Sequence, residues 1–126
     1  MHLTVAHEMR NIEKVTRIGD LFDLYGTLLT QRQREMVQMY YFDDWSLSEI
    51  AEHLSVSRQA VHDNLRRAEE QLESYELALQ LHQTIQSQRS LTTALSEAWM
   101  DVKAHVPEPT RQKMDSVIQA LLAQYQ

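Results

Sequence analysis

The sequence predicts an all-α protein: a helix-turn-helix on a three-helical core, continued by a long helical arm and C-terminal helices. Three observations carry that expectation. Only two glycines and two prolines occur in 126 residues, so little interrupts helical backbone. Long runs are built from Ala, Leu, Glu, Gln and Arg, which lose little side-chain freedom in a helix. Apolar residues recur at three- and four-residue intervals along most of the chain, the spacing of one helix face. No strand is expected. The length allows one helical domain over residues 1–126, with a helix-turn-helix core at about 10–68 and an arm with C-terminal helices at about 69–126.

The first segment places Ile12, Val15, Ile18 or Gly19, Phe22 and Tyr25 on one stripe, with Leu21 on its flank. Gly26 and Thr30 punctuate it. TQRQ at 30–33 has the form of a capping box, in which the Thr30 hydroxyl and the Gln33 amide satisfy each other's free backbone donors. A second helix therefore starts near Gln31, buries Met36, Val37, Met39, Tyr40 and Tyr41, and ends near Phe42, where Asp43 and Asp44 compete with the backbone.

Ser46 followed by Glu49 is a second capping box, opening a short helix with Leu47, Ile50, Ala51 and Leu54 inward. Ser55, Val56 and Ser57 make the turn, and Ser57 caps the next helix through the N–H of Ala60 or its neighbour. From there Val61, Leu65, Ala68, Leu72, Tyr75, Leu79 and His82 alternate in steps of four and three. That is a heptad seam. It reads either as a dimer seam or as an intramolecular seam against the first or last helix, with Leu65, Leu72, Tyr75 and Leu79 as its central members. Leu77, Leu81 and Ile85 widen the apolar face. The register weakens at Gln86 to Ser90, where a break is expected. A further helix from Leu91 to about His105 carries Leu95, Trp99 and Val102, and VPEP at 106–109 ends it. Met114, Val117, Ile118, Leu121, Leu122 and Tyr125 mark a terminal amphipathic helix.

Composition narrows function. The 18 acidic and 12 basic residues give a net charge of −6, with the acidic excess expected mainly after residue 68. Binding to polyanions then needs a local basic face. The absence of cysteine excludes disulfides and thiolate chemistry. The start, MHLTVAHEMRNIEK, lacks the pattern of a signal peptide. No apolar run approaches the roughly 20 residues that span a bilayer. A cytoplasmic protein without membrane insertion is expected. His2, His7, His53, His62, His82 and His105 share no i,i+3 or i,i+4 spacing, so no metal site is expected. Met36 and Met39 read as core, and Trp45 and Trp99 as packing anchors rather than base-stacking platforms. No nucleophile–base pair, phosphate-cradling loop or carboxylate pair is present. The reading is a non-enzyme with no cofactor.

A helix-turn-helix needs a small residue where its helices cross, apolar anchors on both, and a turn residue that tolerates positive φ. Ala51 is the small residue; Ile50, Leu54, Val56, Val61 and Leu65 are the anchors. Ser55 stands at the turn, where a non-glycine residue costs about 1 kcal/mol. Outside the anchors, the second helix offers Ser57, Arg58, Gln59, His62, Arg66 and Arg67 to a ligand. Arg58, Gln59 and His62 suit base edges, and Arg66 and Arg67 suit phosphates. The plainer alternative is a solvated face with Asp63 paired to Arg66 and Arg67.

With the helix before it, LLTQRQREMVQMYYFDDWSLSEIAEHLSVSRQAVHDNLRRAEEQLESYE resembles the fourth conserved region of bacterial sigma factors. The chain is still more similar to the YlxM family of small bacterial helix-turn-helix proteins. LFDLYGTLLT, QMYYFDDWSLSEIAE and SVSRQAVHDNLRRAEEQLESYE carry that resemblance over about residues 9–85. It implies a gene neighbourhood with the signal recognition particle GTPase and its receptor. An accessory or regulatory role in protein targeting follows, with a particle protein or RNA as partner. The second reading is a dimeric DNA-binding transcriptional regulator using the same helix. The third is a homodimeric scaffold.

Overall fold

A computed structural model describes residues 5–125, with side chains from residue 12 onward. Among the described residues every regular element is helical. The elements are α1 (Val5–Tyr25), α2 (Gln31–Val37), α3 (Leu47–Leu54), α4 (Arg58–Leu79), α5 (Leu81–Val102) and α6 (Thr110–Gln124). The protein is an all-α helix-turn-helix protein. The described residues form two compact units, divided between Gln80 and Leu81.

In the first unit, the caps fall where the sequence places them. The Thr30 hydroxyl accepts from the N–H of Gln33 at 3.1 Å, while the Thr30 N–H donates to the Gln33 amide at 3.0 Å. Ser46 and Glu49 repeat the arrangement, both at 3.1 Å. Ser57 accepts from Ala60 N–H at 3.0 Å. Each cap contributes about 1 kcal/mol and fixes where its helix starts. The turn before α4 closes as a Schellman motif. Ser55 is left-handed (φ 57°, ψ 43°), Val56 N–H donates to Ala51 O at 3.0 Å, and Ser55 N–H donates to Glu52 O at 3.3 Å.

α2 continues as one π-helical turn, Gln38–Phe42, closed by Asp43 N–H on Gln38 O at 2.9 Å. That turn rotates the side chains after Val37. Met36 and Val37 stay in the core, Met39 and Tyr41 are half-buried, and Tyr40 is exposed, contrary to its expected place inside. Asp44 follows at φ 60°, a left-handed position that Asp tolerates better than most residues.

The core centres on Leu21, Tyr25, Met36, Val37, Ile50, Val61 and Leu72. On α1 the buried stripe is Ile18, Leu21 and Tyr25, so Leu21 is central rather than flanking, and Ile12 and Val15 are exposed. The heptad residues Val61, Leu65, Ala68 and Leu72 are buried in this same core, and Tyr75 packs at its edge. The seam is therefore used inside the unit. Tyr25 donates to the buried carboxylate of Glu76 at 2.7 Å, its ring lies 5.9 Å from that of Tyr75, and Tyr75 donates to Leu28 O at 3.3 Å. Residues 69–79, expected as the root of a separate arm, thus belong to the helix-turn-helix unit. Leu79 is the exception at 54% exposed, and Val56 is also exposed rather than an anchor.

The break between α4 and α5 falls at Gln80, not at Gln86 to Ser90. Gln80 is left-handed (φ 56°, ψ 32°) and donates its N–H to Glu76 O at 2.8 Å. Glutamine at a position that favours glycine leaves no signal in the sequence. α5 then runs unbroken through residues 86–90 and past Leu91. Its buried residues are Thr92 and Trp99, whereas Leu95 and Val102 are exposed. α5 ends at Val102, a 3-10 turn covers Lys103–His105, and the backbone is extended at Val106, just before Pro107.

In the second unit, Trp99 and Ile118 are the buried apolar pair, with Met114, Leu121 and Leu122 half-buried and Val117 exposed. The Trp99 indole N–H donates to Asp115 at 2.7 Å, and Lys103 donates to the same oxygen at 3.3 Å. The bond from Trp99 holds the Asp115 carboxyl below its usual range; Lys103 and Arg111 add to this and desolvation opposes it.

The two ends of the heptad run now make different predictions. Leu72→Ala should destabilise the unit by about 2–5 kcal/mol, whereas Leu79→Ala should change it by no more than about 0.5 kcal/mol. Urea unfolding of both variants checks this, and equal losses would contradict the placement of Leu72 alone in the core.

Candidate nucleic-acid interface

With α4 held by Val61, Leu65, Ala68 and Leu72, a rotation of about 100° per residue turns Gln59, Asp63, Arg66 and Glu70 away from the core. Arg58, His62 and Glu69 lie on one flank and Arg67 on the other. Ser57, Arg58, Gln59, His62, Arg66 and Arg67 are all exposed, but they do not share one face: Gln59 and Arg66 point outward with His62 and Arg58 beside them, whereas Arg67 lies on the opposite flank. The helix starts at Arg58, and its N-terminal N–H groups add partial positive charge there.

The face is partly tied to itself. Gln59 donates to Asp63 at 2.9 Å, and the His62 ring lies 3.6 Å from the same carboxylate. Arg66 donates to Glu70 at 3.1 Å. Asp63 thus takes Gln59 and His62 rather than the Arg66 and Arg67 of the plainer alternative, and Arg66 turns to Glu70.

The acids that follow are largely engaged from α1. Arg17 grips Glu73 through two bonds of 3.0 and 2.9 Å. The bond with Glu73 raises the Arg17 pKa above its ordinary value against a desolvation cost, with the charges of Glu73, Glu76 and Asp20 adding to it. Lys14 lies 3.4 Å from Glu69. Tyr41 also donates to Glu69, and burial first, then this bond, keeps its phenol protonated by pushing its pKa well up. The acidic excess expected after residue 68 is thus that of Glu69, Glu70, Glu73 and Glu76 on α4, the last helix of the first unit. Residues 81–126 carry four basic and four acidic groups, while residues 1–80 carry eight and fourteen. The excess sits in the helix-turn-helix unit, where Lys14, Arg17 and Arg66 pair with three of the acids of α4, Glu69, Glu73 and Glu70.

Beside His62 and Arg66 lies a cleft of about 580 Å³. α1 lends it Lys14 and Val15, the segment after α2 lends Tyr40, Tyr41, Asp44 and Trp45, and α3 lends Leu47. Sequence reasoning missed this grouping, because it depends on the π turn and on the rotated stripe of α1. Trp45 does pack on the core and stands edge-on to His53 at 5.1 Å, yet part of it lines the cleft. Among the described residues no cluster of His, Asp and Glu has metal-binding geometry, and no helix is long and apolar enough to cross a membrane.

Comparison with known proteins agrees with this architecture. The UPF0122 family, described as "Putative helix-turn-helix protein, YlxM / p13 like", matches residues 12–113. The chain belongs to this family. UPF0122 proteins of Bacillus mycoides (strain KBAB4), Bacillus cereus (strain AH187) and Bacillus anthracis (strain A0248) are each 45% identical to it over 106 residues. The match covers 84% of this chain and 96% of each relative. Most of the second unit, through residue 113, therefore belongs to the family's common length rather than to a private extension.

If Glu70 holds Arg66, Glu70→Gln should release the guanidinium and remove a repulsive charge. The variant should elute from heparin at higher salt than the parent. Elution at the same or lower salt would show that Glu70 does not restrain the basic face.

Proposed function

We propose that the protein is a non-enzymatic accessory factor that acts in the cytoplasm, within the signal recognition particle pathway, by binding RNA through the outward face of α4. The observation that carries this reading is the exposed set Arg58, Gln59, His62, Arg66 and Arg67 on a helix whose start is fixed by Ser57. The neighbouring acids Glu69 and Glu73 are answered by Lys14 and Arg17, which lessens their repulsion of a phosphate chain. The YlxM resemblance supports the placement in protein targeting. Any effect on the GTPase cycle would then be that of a binding effector, and a protein of the particle is the other partner this pathway offers.

A DNA-reading regulator uses the same face, and the helix-turn-helix geometry favours it. Specific duplex recognition by such a module generally relies on two heads related by a dyad. Leu65, Leu72 and Tyr75 are already packed inside one chain, so a homodimer needs a different seam; the exposed Leu77 and Leu79 are available for one.

Binding of fluorescent RNA and duplex DNA across a salt series tests the proposal. Affinity should fall steeply with salt, with log–log slopes of about −0.7 per phosphate on single strands and −0.9 on duplex DNA. Arg58→Ala with Arg66→Ala should weaken binding about 10-fold or more and flatten the slope, with unchanged melting. A folded double variant that binds as the parent does would overturn the assignment of α4. Preference for duplex DNA would favour the regulator.

A further inference from the structure

The cleft beside α4 is walled by Tyr40, Tyr41 and Trp45 and carries Lys14, His62 and Arg66. Its chemistry is mixed in a specific way. Aromatic carbon forms the walls, three nitrogen-bearing side chains stand around it, and two carboxylates, Asp44 and Glu69, supply acceptors. A purely apolar segment would strip water from Asp44 and from the exposed ends of the Lys14–Glu69 and Arg66–Glu70 pairs, at a cost. A phosphate placed deep in the cleft would meet Asp44 and Glu69. A flat heteroaromatic ring with both donors and acceptors on its edge matches all three requirements, and a nucleobase is such a ring.

Position adds a second argument, because His62 and Arg66 belong at once to the cleft and to the outward face of α4. A strand whose phosphates lie on His62 and Arg66 runs along the rim of the cleft, within reach for one of its bases. A base inside a duplex cannot reach it, since that base is stacked and paired. About 580 Å³ is room for one nucleotide with its sugar. Asp44 sits there at φ 60°, an unusual backbone setting that turns the chain at the cleft's edge.

We infer that this cleft binds one unpaired nucleobase of a single-stranded nucleic acid, stacked against Tyr40 and Trp45, with its donors toward Asp44 and its phosphates on His62, Arg66 and Lys14. The inference rests on the proposed α4 interface and deepens it, since it changes the ligand class from nucleic acid in general to strands with an unpaired base. Tyr40 is the stacking residue most accessible to substitution. At 39% exposure it lies outside the core cluster, so its ring can be removed without opening the core.

The test measures binding of the full chain to a 12-nucleotide single-stranded RNA, to the same RNA annealed to its complement, and to a single-stranded DNA of matching sequence. The parent should prefer the single strands. Tyr40→Ala should weaken single-strand binding by about 5- to 140-fold, the loss of one stacked base, while Tyr40→Phe retains it and duplex binding changes little. Quenching of Trp45 fluorescence by the single strand, in a Trp99→Phe background with parental melting, reports the stacking directly. Equal loss on duplex and single strand, or no loss in Tyr40→Ala while Arg58→Ala with Arg66→Ala still weakens binding, would overturn the cleft and leave the α4 interface standing. Absence of all nucleic-acid binding would overturn both. Loss on RNA but not on single-stranded DNA would assign the site to RNA through its 2′-hydroxyl.

Discussion

The packing of α1 against α4 is the constraint on which the rest of the molecule depends. Leu21 and Tyr25 meet Leu65, Ala68 and Leu72 in one core. Burial of a large apolar side chain contributes about 1.5–3 kcal/mol, so this contact outweighs any surface pair in the unit. It also sets three things that look unrelated. It places Lys14 and Arg17 opposite Glu69 and Glu73, it uses the heptad seam within one chain, and it fixes which side of α4 faces outward. The Tyr25 to Glu76 bond closes the far end of the seam and gives the one buried carboxylate there a donor. Leaving that carboxylate unpartnered would be costly.

From this follows an answer to the conflict between an acidic chain and a reading helix. Net charge describes the whole molecule, but a ligand meets a face. On α4 the acids alternate with the apolar seam on the side toward α1, where the cations of α1 answer them. The outward side keeps Arg66, with Arg58 and His62 on its flank. Surface pairs of this kind add little stability, about 0–1 kcal/mol each. Their consequence is electrostatic: they keep Glu69 and Glu73 from opposing an approaching phosphate chain.

The sequence was informative where a local chemical rule fixes structure and less so where tertiary packing decides. Thr30, Ser46 and Ser57 are caps whose hydroxyls must find specific N–H groups, and all three lie where their spacing places them. The turn at Ser55 was also readable, since a left-handed residue is required there whatever its side chain. The rotation of α1 was not. Ile12, Val15, Ile18, Leu21, Phe22 and Tyr25 fit two overlapping stripes, and only the partner helix selects Ile18, Leu21 and Tyr25. The break at Gln80 is not legible because glutamine carries no C-cap signature, and the weakened register at Gln86 to Ser90 reflects exposed helix rather than a break. The outward residues of α4 were legible from the anchor stripe alone. The cleft was not, because it depends on a π turn and on the exposed side of α1, neither of which periodicity reveals.

Family membership gives the fold a setting, and the geometry supplies the mechanism proposed for it: a capped helix presenting cations, with an aromatic cleft at its side. Photo-crosslinking of the full chain to a single-stranded RNA, with the linked residues mapped by mass spectrometry, tests that mechanism most directly. The account predicts crosslinks within residues 40–45 and 57–67. Crosslinks confined to residues 81–125 would contradict it.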